Sequence, residues 1–131
     1  MRLKTISYWA TTTIVAFCIG SGGAAELARV PGTIDGLVAL GYPVYFVMII
    51  GFWKILGALA LLAPRFPRLK EWAYAGIFFN MTGAAVSNIV SGTPAWHPVV
   101  DLTIVALTIA SWALRPPGRT IGVLFPVRTQ P

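Results

Sequence analysis

The feature that most constrains this sequence is a pair of long apolar segments joined by a short basic loop. The segments run from about residue 44 to 63 and from about residue 72 to 91, and the loop between them carries Arg65, Arg68 and Lys70. Each segment is about 20 residues long, the length that an α-helix needs to cross the hydrocarbon core of a bilayer. The pair therefore predicts a hairpin of two transmembrane helices.

Two further apolar segments, at about residues 6–25 and 97–114, extend this pattern over the chain. Four helices with short connections predict an all-α membrane protein, an antiparallel four-transmembrane-helix bundle formed by one domain, residues 1–131. Residues 33–41 have helical spacing between proline and glycine breakers, which predicts a short helix at the membrane surface. Residues 116–131 are predicted to form a loose tail.

The charged residues support a membrane location and exclude a nucleic-acid-binding surface. Hydrophobic residues make up 56% of the chain and charged residues 11%, whereas soluble domains carry about 25% charged residues. The formal net charge is +6, but the basic residues cluster at the borders of the apolar segments. We therefore expect the lipid bilayer, and no nucleic acid, as a partner. The single cysteine, Cys18, excludes a redox pair of cysteines within one chain.

The distribution of basic residues also predicts the orientation. One side of the predicted bundle holds Arg2, Lys4, Arg65, Arg68, Lys70, Arg115, Arg119 and Arg128, and the opposite side holds only Arg29. Basic residues are enriched in cytoplasmic loops, so both termini are predicted to be cytoplasmic. The first segment also has the charge and small-residue pattern of a signal peptide, but the segments that follow make an uncleaved helix the simpler interpretation.

Lys54 lies inside the second apolar segment, at a predicted depth of roughly 14 Å. A charge at that depth is expected to face the bundle interior and to have partners. The long lysine stem could reach Glu26 and Asp101 in the outer half, with Asn80 and Asn88 as hydrogen-bond acceptors. Two interpretations stay open: a structural ion pair, or a ligand or proton site in an outward-facing pocket.

The third segment has a stripe of small and polar residues at helical spacing, namely Gly76, Asn80, Gly83, Ser87 and Ser91. Small residues are typical of a helix-packing face, whereas the asparagines favour a polar cavity. His97 is either a solvated histidine near the membrane surface or part of the polar cluster. No catalytic residue or metal site is predicted. The predicted ligand-binding residues are Lys54, Asn80, Asn88, Asp101, Glu26 and His97.

The sequence KILGALALLAP, followed by a basic turn and LKEWAYAGIFFN, resembles the DoxX-like membrane proteins. These residues run from Lys54 to Asn80, and the four-helix layout extends the resemblance to nearly the whole chain. The resemblance implies a small multi-pass protein of the bacterial inner membrane. Some relatives are linked to quinone-coupled oxidation of thiosulfate, or to membrane complexes for oxidative-stress defence. It therefore implies redox partner subunits and a quinone as a candidate ligand.

Three functions follow from these residues and from the resemblance. The first is an accessory subunit of a redox system, in which Lys54 and Asn80 contact a quinone. The second is a carrier for a small polar or anionic molecule, formed by a homo-oligomer. The third is a purely structural assembly partner. The sequence shows no nucleophile–base pair, so we expect no catalysis by this chain alone and assign no enzyme class.

Overall fold

The computed structural model describes residues 2–63 and 66–116 of the chain. Within these residues the fold is all-helical, as predicted. The helices are α1 (Arg2–Leu27), α2 (Pro31–Ala39), α3 (Val44–Leu62), α4 (Pro67–Val90) and α5 (Trp96–Ala113). Arg65, Arg119 and Arg128, together with residues 117–131 of the predicted tail, lie outside the described residues.

The four long helices pack side by side around one apolar core. α1 contacts both α3 and α5, and α4 contacts both α5 and α3. The core includes Val15 and Ile19 of α1, Leu61 of α3, Ile77 of α4 and Val105 of α5. The short helix α2 lies against α1 and α3, and all its residues are at least partly exposed. A short helix was predicted here, at residues 33–41, and its location at the membrane surface stays a prediction.

Within the described residues, three helices are long and apolar enough to cross a membrane. They are Leu3–Leu27, Val44–Leu62 and Trp96–Ala113. Helix α4 is not among them, although it was predicted to be a span, because polar residues such as Asn80 and Asn88 lower the hydropathy of its apolar part. The apolar helices identify a membrane protein, and a fourth span remains a prediction.

Helix α4 begins at Pro67, earlier than the predicted start near residue 72. Proline is compatible with the first turn of a helix, where its missing N–H would have no intrahelical partner. Phe66, just before it, adopts the left-handed conformation that turns the chain after α3. Lys70 was predicted to lie in the loop. It is instead part of helix α4, and its side chain is buried. Its Nζ donates hydrogen bonds to the carbonyls of Ala60, at 2.7 Å, and Ala63, and so caps the end of α3.

Polar contacts hold α1, α4 and α5 together near the end of the bundle where α3 ends and α4 begins. Ser111 of α5 is hydrogen-bonded to Thr12 of α1 at 2.5 Å and to Tyr74 of α4 at 2.8 Å. Arg115 forms an ion pair with Glu71 of α4. These contacts fix one side of α4 to its neighbours, whereas its other side faces α3 across a groove.

Candidate functional site

A groove with a volume of about 870 Å³ runs along the seam between α3 and α4. Leu37 and Tyr42 line one end, and Phe66 and Leu69 line the other. Most of its remaining lining is apolar, and the polar exceptions include Glu26, Lys54 and Asn80. Pockets for small molecules usually enclose about 300–1,000 Å³ and combine apolar walls with a few polar groups. The groove therefore has the size and composition of a binding site for a largely apolar molecule.

Glycines on α4 help to create this groove. Gly76 and Gly83 both line it, and a Cβ added at either would meet no heavy atom of the described residues within 4 Å, apart from its own helix neighbourhood. Gly76 and Gly83 belong to the stripe of small and polar residues for which a helix-packing face was one interpretation. That interpretation is wrong for these two glycines within one chain. These glycines widen the groove because they have no side chain, and they do not bring two helices into close contact. Asn80 lies between them on the same stripe and is half-buried.

Close helix packing occurs instead between α1 and α3. A Cβ on Gly23 would lie 2.6 Å from the carbonyl oxygen of Gly51 and 2.9 Å from Cβ of Lys54. A Cβ on Gly51 would in turn lie 2.9 Å from Cβ of Glu26. Small residues permit this approach of two helix backbones. It brings the end of α1 against the middle of α3.

The approach of α1 to α3 pairs Lys54 with Glu26, one of its two predicted acidic partners. Lys54 Nζ donates a hydrogen bond to Glu26 Oε1 at 2.5 Å, and the two side chains are 18% and 4% exposed. Both residues line the groove. The second carboxylate oxygen, Glu26 Oε2, is buried and has no hydrogen-bond partner among the described residues. The ion pair therefore leaves one buried carboxylate oxygen unsatisfied beside an ammonium group.

The remaining predicted site residues form a second cluster, between α4 and α5. Asn88 donates a hydrogen bond from Nδ2 to Asp101 Oδ2 at 2.8 Å, and Thr93 donates to Asn88 Oδ1 at 3.1 Å. His97 is half-buried in the first turn of α5, with its ring centroid 3.8 Å from that of Trp96. The described lining of the groove does not include Asn88, Asp101 or His97. The six predicted residues thus fall into two groups.

The sequence pattern of the DoxX-like family matches residues 10–111. The chain belongs to the DoxX-like family. No curated protein and no solved structure matched the chain. The matched range contains all six predicted site residues and the whole of α2, α3 and α4. The predicted resemblance is therefore confirmed. The family match and the apolar helices together identify a DoxX-like membrane protein.

Tyr42 is a groove residue of this DoxX-like protein that sequence reasoning missed. Its hydroxyl is hydrogen-bonded to Ser87 Oγ of α4 at 2.5 Å, and its ring stacks on Phe46 with centroids 5.5 Å apart. Tyr42 therefore links the start of α3 to α4 and closes one end of the groove. A tyrosine beside Pro43 at the end of an apolar segment is typical of any membrane interface, so the sequence offered no specific indication.

The chemistry available in the groove of this DoxX-like protein is hydrogen bonding and charge stabilisation. Within residues 2–63 and 66–116, no group of three or more histidine, cysteine, aspartate or glutamate side chains could hold a metal ion. The charged groups are Lys54 and Glu26, and Asn80 adds an amide. An ammonium, a carboxylate and an amide can position a ligand head group by hydrogen bonds.

Proposed function

We propose that this DoxX-like chain is a multi-pass protein of the bacterial inner membrane that binds a quinone-class molecule in the groove between α3 and α4. In this proposal the chain serves as an accessory subunit of a redox system and passes the bound molecule to or from partner subunits. The observation that carries the proposal is the composition of the groove, in which Lys54, Glu26 and Asn80 interrupt long apolar walls. An apolar ring or chain with a small oxygen-bearing head group is complementary to such a groove.

The proposal assigns the ligand head to the ion pair and the ligand body to the apolar walls. A quinone carbonyl accepts hydrogen bonds, and the Lys54 ammonium and the Asn80 amide both donate them. Trp53 and Phe79 line the groove and are exposed, so the ligand body could contact aromatic rings on both helices. Gly76 and Gly83 leave space beside α4 for that body.

The proposed topology has four transmembrane helices and cytoplasmic termini, with α4 as the fourth span. Helix α4 has 24 residues, a length of about 36 Å that suffices to cross a bilayer. It packs between two helices that are themselves candidate spans, α3 and α5. Its polar residues Asn80 and Asn88 face the groove and the α5 cluster, where lipid need not solvate them.

Cysteine labelling tests this topology in cells. In a Cys18→Ser background, Ala95→Cys and Arg68→Cys place exposed thiols at opposite ends of α4. A membrane-impermeant maleimide should label Ala95→Cys from the outside of the inner membrane and label Arg68→Cys only after the membrane is permeabilised. Labelling of both positions from the same side would reject α4 as a span.

A carrier for a small anion has less support from the same groove. The ammonium of Lys54 is already compensated by Glu26 at 2.5 Å, so a free anion would meet a pair with no net charge. The mostly apolar lining also offers few groups to replace the water shell of an anion. A purely structural role has one supporting observation, which is that the ion pair joins α1 to α3.

A binding titration tests the proposed function. The purified protein in lipid nanodiscs is titrated with short-chain ubiquinone and menaquinone analogues, and tryptophan quenching reports occupancy because Trp53 and Trp72 line the groove. We expect saturable binding that Gly83→Leu abolishes by filling the groove. The matched control is Ala75→Leu, an exposed position of α4 outside the described groove lining.

The same titration separates a ligand site from a structural pair. The double variant Lys54→Met/Glu26→Met removes the ammonium without leaving an unpaired buried carboxylate. It should weaken quinone binding at least tenfold if the ammonium contacts the head group. Absence of saturable binding, or binding unaffected by both Gly83→Leu and Lys54→Met/Glu26→Met, would reject the proposal. The buried charge of Lys54 would then be explained by the structural role of its ion pair with Glu26.

A further inference from the structure

We infer that the Lys54–Glu26 pair selects a head group that carries a hydroxyl, so that the groove binds a quinol more tightly than the corresponding quinone. This inference rests on the proposed function, because it assumes that the ligand head lies at the ion pair. It adds the oxidation state of the preferred ligand, which the groove volume and its apolar walls leave open.

The acceptor half of this selection is Glu26 Oε2. Glu26 is 3% exposed, and its Oε1 already accepts the hydrogen bond from Lys54. Oε2 is buried without a hydrogen-bond partner among the described residues. A buried carboxylate oxygen is unfavourable unless it accepts a hydrogen bond, and bonds to ionised groups are among the strongest in proteins. A ligand that donates to Oε2 therefore gains an interaction that a purely accepting ligand cannot make.

The absence of a side chain at Gly51 is part of this geometry. A Cβ at Gly51 would lie 3.2 Å from Glu26 Oε2 and 2.9 Å from Glu26 Cβ, so a larger residue would press directly on the carboxylate. Glycine at this position lets the carboxylate stay beside α3, and Glu26 forms part of the groove lining.

The donor half is the Lys54 ammonium. A lysine ammonium has three N–H donors, and one of them is directed at Glu26 Oε1. The nitrogen and the carboxylate are in hydrogen-bond contact at 2.5 Å, so a donor and an acceptor stand next to each other. A hydroxyl both donates and accepts, and it can satisfy Glu26 Oε2 and Lys54 together.

A quinone carbonyl can accept from Lys54 but cannot donate to Glu26. Binding sites built to hydrogen-bond a hydroxyl reject analogues without it, since a buried polar group is then left unpaired. The reduced ligand, whose ring oxygens are hydroxyls, therefore matches both groups of the pair. The oxidised ligand matches only one of them.

The test compares the two oxidation states of one ligand on the same protein. Decylubiquinol and decylubiquinone are titrated separately into the full-length protein in nanodiscs, under reducing and oxidising conditions respectively. We expect the quinol to bind at least tenfold more tightly. By linkage, a tenfold preference raises the midpoint potential of the bound two-electron couple by about 30 mV, and this shift can be measured independently in a redox titration.

Variants assign the preference to the carboxylate. Glu26→Gln replaces an acceptor-only group by an amide that can itself donate to a quinone carbonyl, so the preference for the quinol should fall to about twofold or less. Asp101→Asn is the control, because it changes a carboxylate that hydrogen-bonds Asn88 outside the described groove lining, and it should keep the preference. Circular dichroism verifies that each variant is folded.

The outcomes separate the two proposals. Equal affinity for both oxidation states, or tighter binding of the quinone, would overturn the inference and leave the proposed function standing. A preference for the quinol that persists in folded Glu26→Gln would also overturn it. If Glu26→Gln does not fold, the dimethyl ether of the quinol replaces the variant, because it has no hydroxyl that could donate to Glu26. We expect it to bind no more tightly than the quinone, and tighter binding would overturn the inference. Binding of neither form would reject the proposed function itself.

Discussion

The variant Gly23→Ala tests the close approach of α1 and α3 that brings Glu26 to Lys54. The added Cβ would lie 2.6 Å from the backbone oxygen of Gly51 and 2.9 Å from Lys54 Cβ. A helix backbone cannot rotate out of the way as a side chain can, so the two helices must move apart. Overpacking of this kind raises the free energy of the folded state by about 1–3 kcal/mol.

Alanine also favours the helical state over glycine, by about 0.8–1.0 kcal/mol. Over most of its range, the free-energy cost of overpacking is larger than the gain in helix propensity. We therefore expect Gly23→Ala to lower the free energy of unfolding by up to about 2 kcal/mol. Two glycines offer the same chemical change without the clash. A Cβ at Gly22 has its nearest neighbour, Lys54 Nζ, at 4.0 Å, and a Cβ at Gly83 meets no heavy atom of the described residues within 4 Å.

Unfolding in mixed micelles with increasing fractions of a denaturing detergent, followed by far-ultraviolet circular dichroism, measures these differences. Gly22→Ala and Gly83→Ala should be as stable as the parent protein or more stable by up to about 1 kcal/mol. If Gly23→Ala proves as stable as these controls, then α1 and α3 do not approach each other at this glycine. The geometry that places Glu26 beside Lys54 would then be wrong as well.

Three further predictions concern the buried polar groups. Lys54→Met leaves Glu26 without its ion-pair partner and should destabilise the fold by about 3 kcal/mol in the same unfolding assay, whereas Lys54→Met/Glu26→Met should be close to the parent protein; equal losses in both variants would contradict a coupled pair. Lys70→Met removes two hydrogen bonds to the end of α3 and should cost about 1–3 kcal/mol, against no measurable loss for the exposed control Lys4→Met. Ser111→Ala breaks two hydroxyl contacts, with α1 and with α4, and should cost about 1–2 kcal/mol; an unchanged unfolding midpoint would show that these contacts add nothing.

The helical fold could be predicted because its determinants are local. Long apolar segments bounded by proline, glycine and basic residues specify helices of membrane-spanning length, and α3 at Val44–Leu62 closely matches its predicted range. The start of α4 was less predictable. An apolar pattern cannot reveal that Arg68 and Lys70 belong to a helix, because charged residues are compatible with its first turns.

The partners of the polar residues depend on how the helices pack, which helical spacing alone does not determine. Lys54 had two acidic candidates in the outer half of the bundle, and the contact of Gly23 with Gly51 selects Glu26. Asp101 instead faces Asn88 across the α4–α5 contact. Glycines are ambiguous in the same way, because a missing side chain permits either a close contact or an open groove. Only the positions of the neighbouring helices distinguish Gly23 from Gly83.

Photoaffinity labelling with an azido-quinone tests the central claim most directly, namely that the groove between α3 and α4 holds a quinone-class molecule. The protein is labelled in nanodiscs, digested, and its adducts are located by mass spectrometry, with and without excess unlabelled quinol. The account predicts adducts on groove-lining residues such as Trp53, Leu56 and Phe79, lost on competition and absent in Gly83→Leu. Adducts spread over the outer faces of α1 and α5, or adducts that competition leaves unchanged, would contradict it.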